Sequence, residues 1–190
     1  MKNIDLLVTG VGGQGVVLAS DIIGQTAIMA GYDVKKTDTL GMAQRGGAVV
    51  SHVRLAEKVY SPLIKEGGVD LILGFEKLES ARWSHYLKPD GVAIINEYEQ
   101  QPQSVTVGLE KYPTREEITA RFESRRAKIF FVEGSAQAKT LGNVRTLNIF
   151  MLGCFSVFAP IPMEIWKESI AKHIPAHVRD INLTAFFKGS

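Results

Sequence analysis

The chain has 190 residues, 22 of them basic and 20 acidic, for a formal net charge of +2. That balance gives no electrostatic case for a nucleic-acid protein, and the length suits one α/β domain with a sizeable core. Hydrophobic residues make up 45% and charged residues 22%, ordinary values for a globular protein. The single cysteine, Cys154, excludes an internal disulfide, and alone it cannot hold a cysteine-ligated iron–sulfur cluster. Asp5 and the glycines beyond it interrupt any apolar run, so no signal peptide is expected. The most apolar segment, Ile149 to Ala159, is too short to span a bilayer, and the chain reads as cytoplasmic.

Ile4 to Thr9 is a first strand whose continuous apolar character suits burial on both faces of a parallel sheet. It runs into Gly10, Gly12, Gly13 and Gly15, and a helix follows from about Gln14 to Ala30, with Gly31 as its stop. Gly10, Gly12 and Gly15 fit G-x-G-x-x-G in its expected strand-to-helix context. Glycine supplies positive φ and a bare backbone, and the N–H groups at a helix start attract an anion. The competing reading is a tight strand–helix turn without a ligand, in which Gly13 serves close packing alone.

Tyr32 to Thr37 is a second strand. A NAD site wants a carboxylate near its end for the ribose hydroxyls, but Lys35 and Lys36 stand there, Asp38 lies just beyond, and Asp33 comes too early. The lysines suit a phosphate, or are solvated strand-end residues. Thr39 to Gly47, with Gly41, Met42, Gln44, Arg45, Gly46 and Gly47, is a loop at the same carboxyl edge of the sheet as the first glycines. Its Arg45 would offer a guanidinium fork for an anion or a carboxylate; otherwise it is an incidental surface residue.

Ala48 to Leu55 reads as a strand, with Val59-Tyr60 returning as a hairpin, and His52 within it reads as a structural hydrogen bonder. Val69 to Phe75 is a buried strand ending at Glu76, an acid placed for a helix first turn, and Lys77 to Tyr86 is that helix. Leu87 to Gly91 is a turn, Val92 to Asn96 a strand and Ser104 to Leu109 an edge strand. Thr114 and Glu117 make a capping box for a helix over Glu116 to Glu123. Lys128 to Val132 is the last strand. Helices are expected over Ser135 to Leu141, Thr146 to Phe158, Pro162 to His173 and Val178 to Phe187. Pro175 separates His173 from His177 and opposes a metal-binding pair, and no nucleophile–base pair is evident. The expectation is one α/β Rossmann-like domain over 1–190, its mostly parallel sheet flanked by helices, with a β-hairpin insertion and C-terminal helices, no catalytic residue and no metal site.

Gly10-Val11-Gly12-Gly13-Gln14-Gly15, Gly41-Met42-Ala43-Gln44-Arg45-Gly46-Gly47, Ser51-His52-Val53-Arg54 and Tyr60-Ser61-Pro62-Leu63-Ile64 follow one another in an order and spacing that resembles a known family. That family is the gamma-type domain of 2-oxoacid:ferredoxin oxidoreductases. Leu87 to Gly91 and Asn182 to Phe186 resemble it too, so the likeness covers nearly the whole chain. The Met-Ala-Gln-Arg-Gly-Gly stretch is similar to indolepyruvate-type members more than to pyruvate-type ones.

The resemblance implies a two-subunit enzyme that oxidatively decarboxylates an arylpyruvate, passing electrons to ferredoxin and the acyl group to coenzyme A. The larger subunit would hold thiamine diphosphate and the iron–sulfur clusters, and this chain would be inactive without it, with a homodimer open to it in isolation. Gly10, Gly12, Gly13, Gln14, Gly15, Met42, Gln44, Arg45, Gly46 and Gly47 are the candidate cofactor-binding residues, which would meet coenzyme A or the neighbouring subunit, Arg45 facing either a phosphate of coenzyme A or a carboxylate of the larger subunit. Two other readings stay open: a small NADP-dependent reductase, and a non-catalytic docking module whose glycine loops shape an interface.

Overall fold

The structure is a computed structural model and describes residues 2–40 and 46–190. β1 (Ile4–Val11), β2 (Asp33–Leu40), β3 (Ala48–Ala56), β4 (Val69–Gly74), β5 (Leu87–Asn96) and β6 (Lys128–Val132) form one sheet in the order β2-β3-β1-β4-β5-β6. β1, β4, β5 and β6 run parallel, and β3 lies antiparallel between β1 and β2. Alternate residues of the central strands feed two cores, which is why those strands read as unbroken apolar runs. Leu6, Val8, Leu71, Leu73 and Ile94 belong to one. Leu7, Ile72, Ala93 and Ile95 belong to the other.

The first face is covered by α1 (Val16–Met29), α6 (Leu147–Ser156), α7 (Met163–His173) and α8 (Arg179–Gly189), which bring Ile22, Phe155, Trp166 and Phe186 to that core. The second face takes Ala81 of α2 (Lys77–Arg82) and Ile118 and Phe122 of α4 (Arg115–Glu123). Thr114 caps α4 in a reciprocal box with Glu117, as its spacing foretold. α5 (Gly134–Thr140) follows β6 at the carboxyl edge. α6 and α8 approach so closely that a Cβ on Gly153 would stand 2.1 Å from the Phe186 carbonyl oxygen, and one on Gly189 2.2 Å from that of Phe150.

Three local expectations change. The β-hairpin is made by β2 and β3, with Asp33 opposite Ala56, rather than by β3 and Val59-Tyr60. Residues 57–68 instead form an irregular segment whose backbone is pinned by Asp33, Arg54 and His52. Ser104 to Leu109 is not an edge strand: α3 (Gln103–Thr106) and a turn replace it, because the Val105 and Thr106 N–H groups both donate to the Pro102 carbonyl. Alternation of polar and β-branched residues gave the strand pattern, but the segment pairs with no strand of the sheet and closes locally on Pro102 instead. The Leu87-to-Gly91 turn lies inside β5, where residues 88–91 loop out between the Val69–Leu87 and Leu71–Val92 pairings.

His52 has the structural role expected of it. It is 4% exposed, its Nδ1 accepts from the Ile64 N–H at 3.2 Å, and its ring meets Trp83 and Tyr86 edge-on. Burial lowers its pKa below the ordinary 6.5. The native imidazole therefore stays neutral while the unfolded one takes a proton, so its contribution is fully present above about pH 6.5 and lost as the pH falls toward the lower native value. His52→Asn, which keeps an acceptor and removes the titration, should flatten the stability–pH curve below about pH 6.5; an unchanged slope in denaturant titrations would show that another group governs it. Gly153→Ala should lose about 1–3 kcal/mol through overpacking, read as a lower denaturation midpoint at constant m. A gain of about 1 kcal/mol, the ordinary helix-propensity benefit, would mean that α6 and α8 are further apart than described.

Candidate functional site

The glycine loop at the carboxyl end of β1 is joined to Gly46 and Gly47, which lead into β3. The Gly12 N–H donates to the Gly47 carbonyl at 2.8 Å, and the Gly46 N–H to the Gly12 carbonyl at 3.4 Å. Positive φ falls at Gly13 (+103°), Gly15 (+82°) and Gly46 (+78°), positions that favour glycine. Gly10 is required for space: a Cβ there would stand 2.7 Å from the Gln14 Oε1 and 2.8 Å from both Phe75 Cβ and Val16 Cγ2. Gln14 braces the loop from inside, its Oε1 accepting from the Val11 N–H at 2.8 Å and its Nε2 donating to the Phe75 carbonyl at 3.4 Å. Met42, Gln44 and Arg45, also expected at the site, lie outside the described residues.

The polar residues on the rest of this edge are bound to one another. Glu76 is 1% exposed and caps α2, its Oε2 accepting from the Glu79 N–H at 2.7 Å while Oε1 accepts from the Gln100 N–H and the Tyr112 hydroxyl. Burial and then the Glu76 carboxylate push the Tyr112 phenol well above its ordinary range. Lys77 is held between Glu97 (3.2 Å) and Glu99 (2.6 Å). Asn96 ties the β5 end to the Phe75 carbonyl and to Ser135 at the start of α5.

The dinucleotide reading fails on the same geometry. β3 separates β1 from β2, so the end of β2 stands about 10 Å from the glycine loop, two strand spacings away. Lys36 is shared between Asp21 and Asp38, and Asp38 also accepts from the Ser51 hydroxyl. The residues weighed for a ribose or its phosphate are paired within the fold.

What stays open is a cleft of about 850 Å³ beside the glycine loop. Gly13, Gly15, Leu18, Val144, Leu147 and Asn148 line it, with Asn148 against Gly15. Lys139, Arg145 and His177 bring positive or titratable groups to it. No aspartate or glutamate is among its described lining residues, so the cleft suits an anion with an apolar body. Among the described residues no group of three His, Cys, Asp or Glu side chains is placed to hold a metal. Sequence reading missed Asn148, Lys139 and Arg145, because they reach the glycine loop only through the packing of the C-terminal helices. It weighed His177 only as half of a metal pair. No helix among the described residues is long and apolar enough to cross a membrane.

The family model for pyruvate ferredoxin/flavodoxin oxidoreductase matches residues 5–190. The chain is 36% identical to indolepyruvate oxidoreductase subunit IorB of Thermococcus kodakarensis, over 100% of this chain and 95% of that protein. Among solved structures, it superposes on the gamma subunit of a keto/oxoacid ferredoxin oxidoreductase from Geobacter sulfurreducens with a TM-score of 0.71 at 21% identity, over 98% of this chain and 95% of that one. It also matches a 2-oxoglutarate:ferredoxin oxidoreductase from Magnetococcus marinus, solved with 2-oxoglutarate, coenzyme A and succinyl-CoA, at a TM-score of 0.77 and 22% identity, over 100% of this chain and 30% of that one.

The bracing by Gln14 is open to a direct check. Gln14→Leu removes the acceptor of the Val11 N–H, which sits on a residue 4% exposed. It should therefore lower unfolding stability by about 1–3 kcal/mol in a denaturant titration. Unchanged stability would show that the amide does not support the loop.

Proposed function

The chain belongs to the pyruvate ferredoxin/flavodoxin oxidoreductase family, and from that premise we propose that it serves an arylpyruvate oxidoreductase, with indolepyruvate as substrate. It is a subunit of a 2-oxoacid oxidoreductase whose acceptor is an iron–sulfur protein. In this reading a larger partner subunit holds the thiamine diphosphate and the iron–sulfur clusters, ferredoxin is reached through the complex, and the assembly works in the cytoplasm. The 36% identity to an indolepyruvate oxidoreductase subunit over the whole chain supports the substrate assignment. The same identity favours this reading over a small NADP-dependent reductase.

The residues of this chain do not suit electron chemistry of their own. Cys154, the only thiol, is 7% exposed, and burial pushes its pKa up to about 12, so it offers no thiolate at neutral pH. Oxidation and carbanion stabilisation are the work of cofactors, here assigned to the partner. This chain's part is to receive coenzyme A, which accepts the acyl group. The observation that carries the assignment is the cleft beside the glycine loop, bounded by Lys139 and Arg145 and free of described carboxylates. The Magnetococcus relative was solved with coenzyme A, which is consistent with it. In this proposal Gly10, Gly12, Gly13, Gln14 and Gly15, with Gly46 and Gly47 stitched to them, shape the edge of the site. Met42, Gln44 and Arg45 are assigned to the same site on the resemblance of their motif alone.

Two measurements test the assignment. The purified chain alone should bind no stoichiometric iron and oxidise no 2-oxoacid; either activity would overturn the division of labour. In the complex with the large subunit, Arg45→Ala should raise the KM for coenzyme A by roughly 10- to 150-fold, the equivalent of losing a charge-assisted contact of about 1.5–3 kcal/mol. If the variant instead fails to co-purify with the partner, Arg45 is an interface residue. A change below about twofold in both removes it from the site.

A further inference from the structure

We propose that the outer edge of β6 is an interface at which a second copy of this chain adds its own β6, antiparallel, joining two six-stranded sheets across a two-fold axis at Phe130. β2 and β6 are the outer strands of the sheet, and their edges differ in kind. β2 carries Asp33, Lys35, Lys36 and Asp38 among its eight residues, a charged guard of the sort that keeps an outer strand from pairing with other chains. β6 reads Lys-Ile-Phe-Phe-Val and has one charge, at its start. Phe130, in the middle of it, is 45% exposed. A strand edge of that composition invites another strand.

The backbone decides which residues pair. β6 runs parallel to β5, and in such a ladder alternate residues turn their N–H and C=O groups to the neighbour. The Val132 carbonyl accepts from the Glu97 N–H at 2.8 Å, so Val132, Phe130 and Lys128 face β5. Ile129 and Phe131 turn both their groups outward, and these have no backbone partner among the described residues. Two antiparallel residues exchange hydrogen bonds only when both face outward. Ile129 therefore stands opposite Phe131 of the second copy, and Phe131 opposite its Ile129. That register satisfies all the outward groups of both strands, whereas pairing Ile129 with Ile129, or Phe131 with Phe131, leaves half of them open. It also sets the two Phe130 side chains directly across the axis.

The side chains select a second copy rather than an unrelated strand. The Phe130 ring lies 5.6 Å from that of Phe158, and Val157 beside Phe158 in the chain is 65% exposed. Two-fold symmetry brings the Phe130–Phe158 pair of each copy into one apolar cluster on that face of the sheet. Charge is self-complementary in the same register. Lys128 falls opposite Val132 of the second copy, next to its Glu133, and symmetry repeats the contact. Lys128 and Glu133 are both exposed, and neither is in an ion pair among the described residues. On the other face Ile129 and Phe131 stay packed against their own core, so the contact asks for no change of fold. It depends on neither the ligand nor the reaction proposed above.

Sedimentation and cross-linking of the full chain test the interface. The unaltered chain should sediment as a dimer that dissociates on dilution, and Phe130→Lys, which sets two cations across the axis, should be a folded monomer by circular dichroism. Lys128→Glu and Glu133→Lys should each weaken the dimer by about two- to fivefold, and the two together should restore it. Phe130→Cys places a thiol from each copy at the axis with Cβ atoms about 4.5 Å apart, close to the spacing of a disulfide, while the native Cys154 is buried and does not compete. Oxidised glutathione should therefore link this variant into a dimer on a non-reducing gel. Lys128→Cys should stay unlinked, because its two thiols would stand four residues apart along the strands, roughly 14 Å. Equal linking of both variants, or a dimer that survives Phe130→Lys, overturns the β6 contact. So does a chain that is monomeric at every concentration and forms no cross-link. If that monomer co-purifies with the large subunit and Phe130→Lys does not, the edge belongs to the large subunit and the second copy is excluded.

Discussion

The structure depends on how the end of β1 is held. A strand that ends in glycines has no side chains to fix its direction, and a loop of that kind would sample many conformations. Here Gln14 reaches back to the Val11 N–H and across to the Phe75 carbonyl, so one amide links the end of β1, the start of α1 and the end of β4. The Gly12–Gly47 backbone bond extends this to the segment entering β3. Every wall of the candidate cleft is referred to this point. α1 takes its direction from Gly15, and α6 is placed against it through Asn148.

The same fixing explains the division between polar groups that are used up and polar groups that are free. Glu76, Asn96, Lys77 and Asp38 hold strand ends and helix starts together, and each has its partners inside the chain. A carboxylate or lysine committed in this way is poorly available to a ligand, because displacing it would expose a buried group without a partner. The residues around the cleft are different. They are backbone N–H groups, an amide and cations not engaged with described carboxylates, which suits a subunit that positions a group while its partner performs the oxidation.

Much of this was legible in the sequence where local patterns decide structure. The strand–glycine–helix start, the capping box at Thr114 and the both-face burial of β1 and β4 all follow from short-range spacing. Pairing was not legible: nothing within Ala48 to Leu55 says that its neighbour is β2 rather than Val59-Tyr60, since both readings satisfy the same alternation. The segment at 104–109 failed for a related reason, because local bonds from Val105 and Thr106 to the Pro102 carbonyl win over pairing that the pattern alone cannot secure. In the cleft, Gly13 and Gly15 were visible through their fingerprint. Asn148 and Arg145 were not, because one looks like a polar residue in an apolar helix and the other like a surface cation. Their place beside the glycine loop depends on the packing of α6 and the turn before it, which no local pattern shows.

The distribution of the two cores along the chain also sets an order of events during synthesis. The α2 and α4 side of the sheet is completed by residues that leave the ribosome by position 132, soon after the strands they cover. The other side receives α6, α7 and α8 only from residues 147–189. At about 5–20 residues per second, a nascent chain carries one apolar sheet face covered only by α1 for several seconds after its strands have been made. That face includes Leu6, Val8, Leu71, Leu73 and Ile94, so the stage at which the chain most needs a chaperone is the interval before its last three helices emerge.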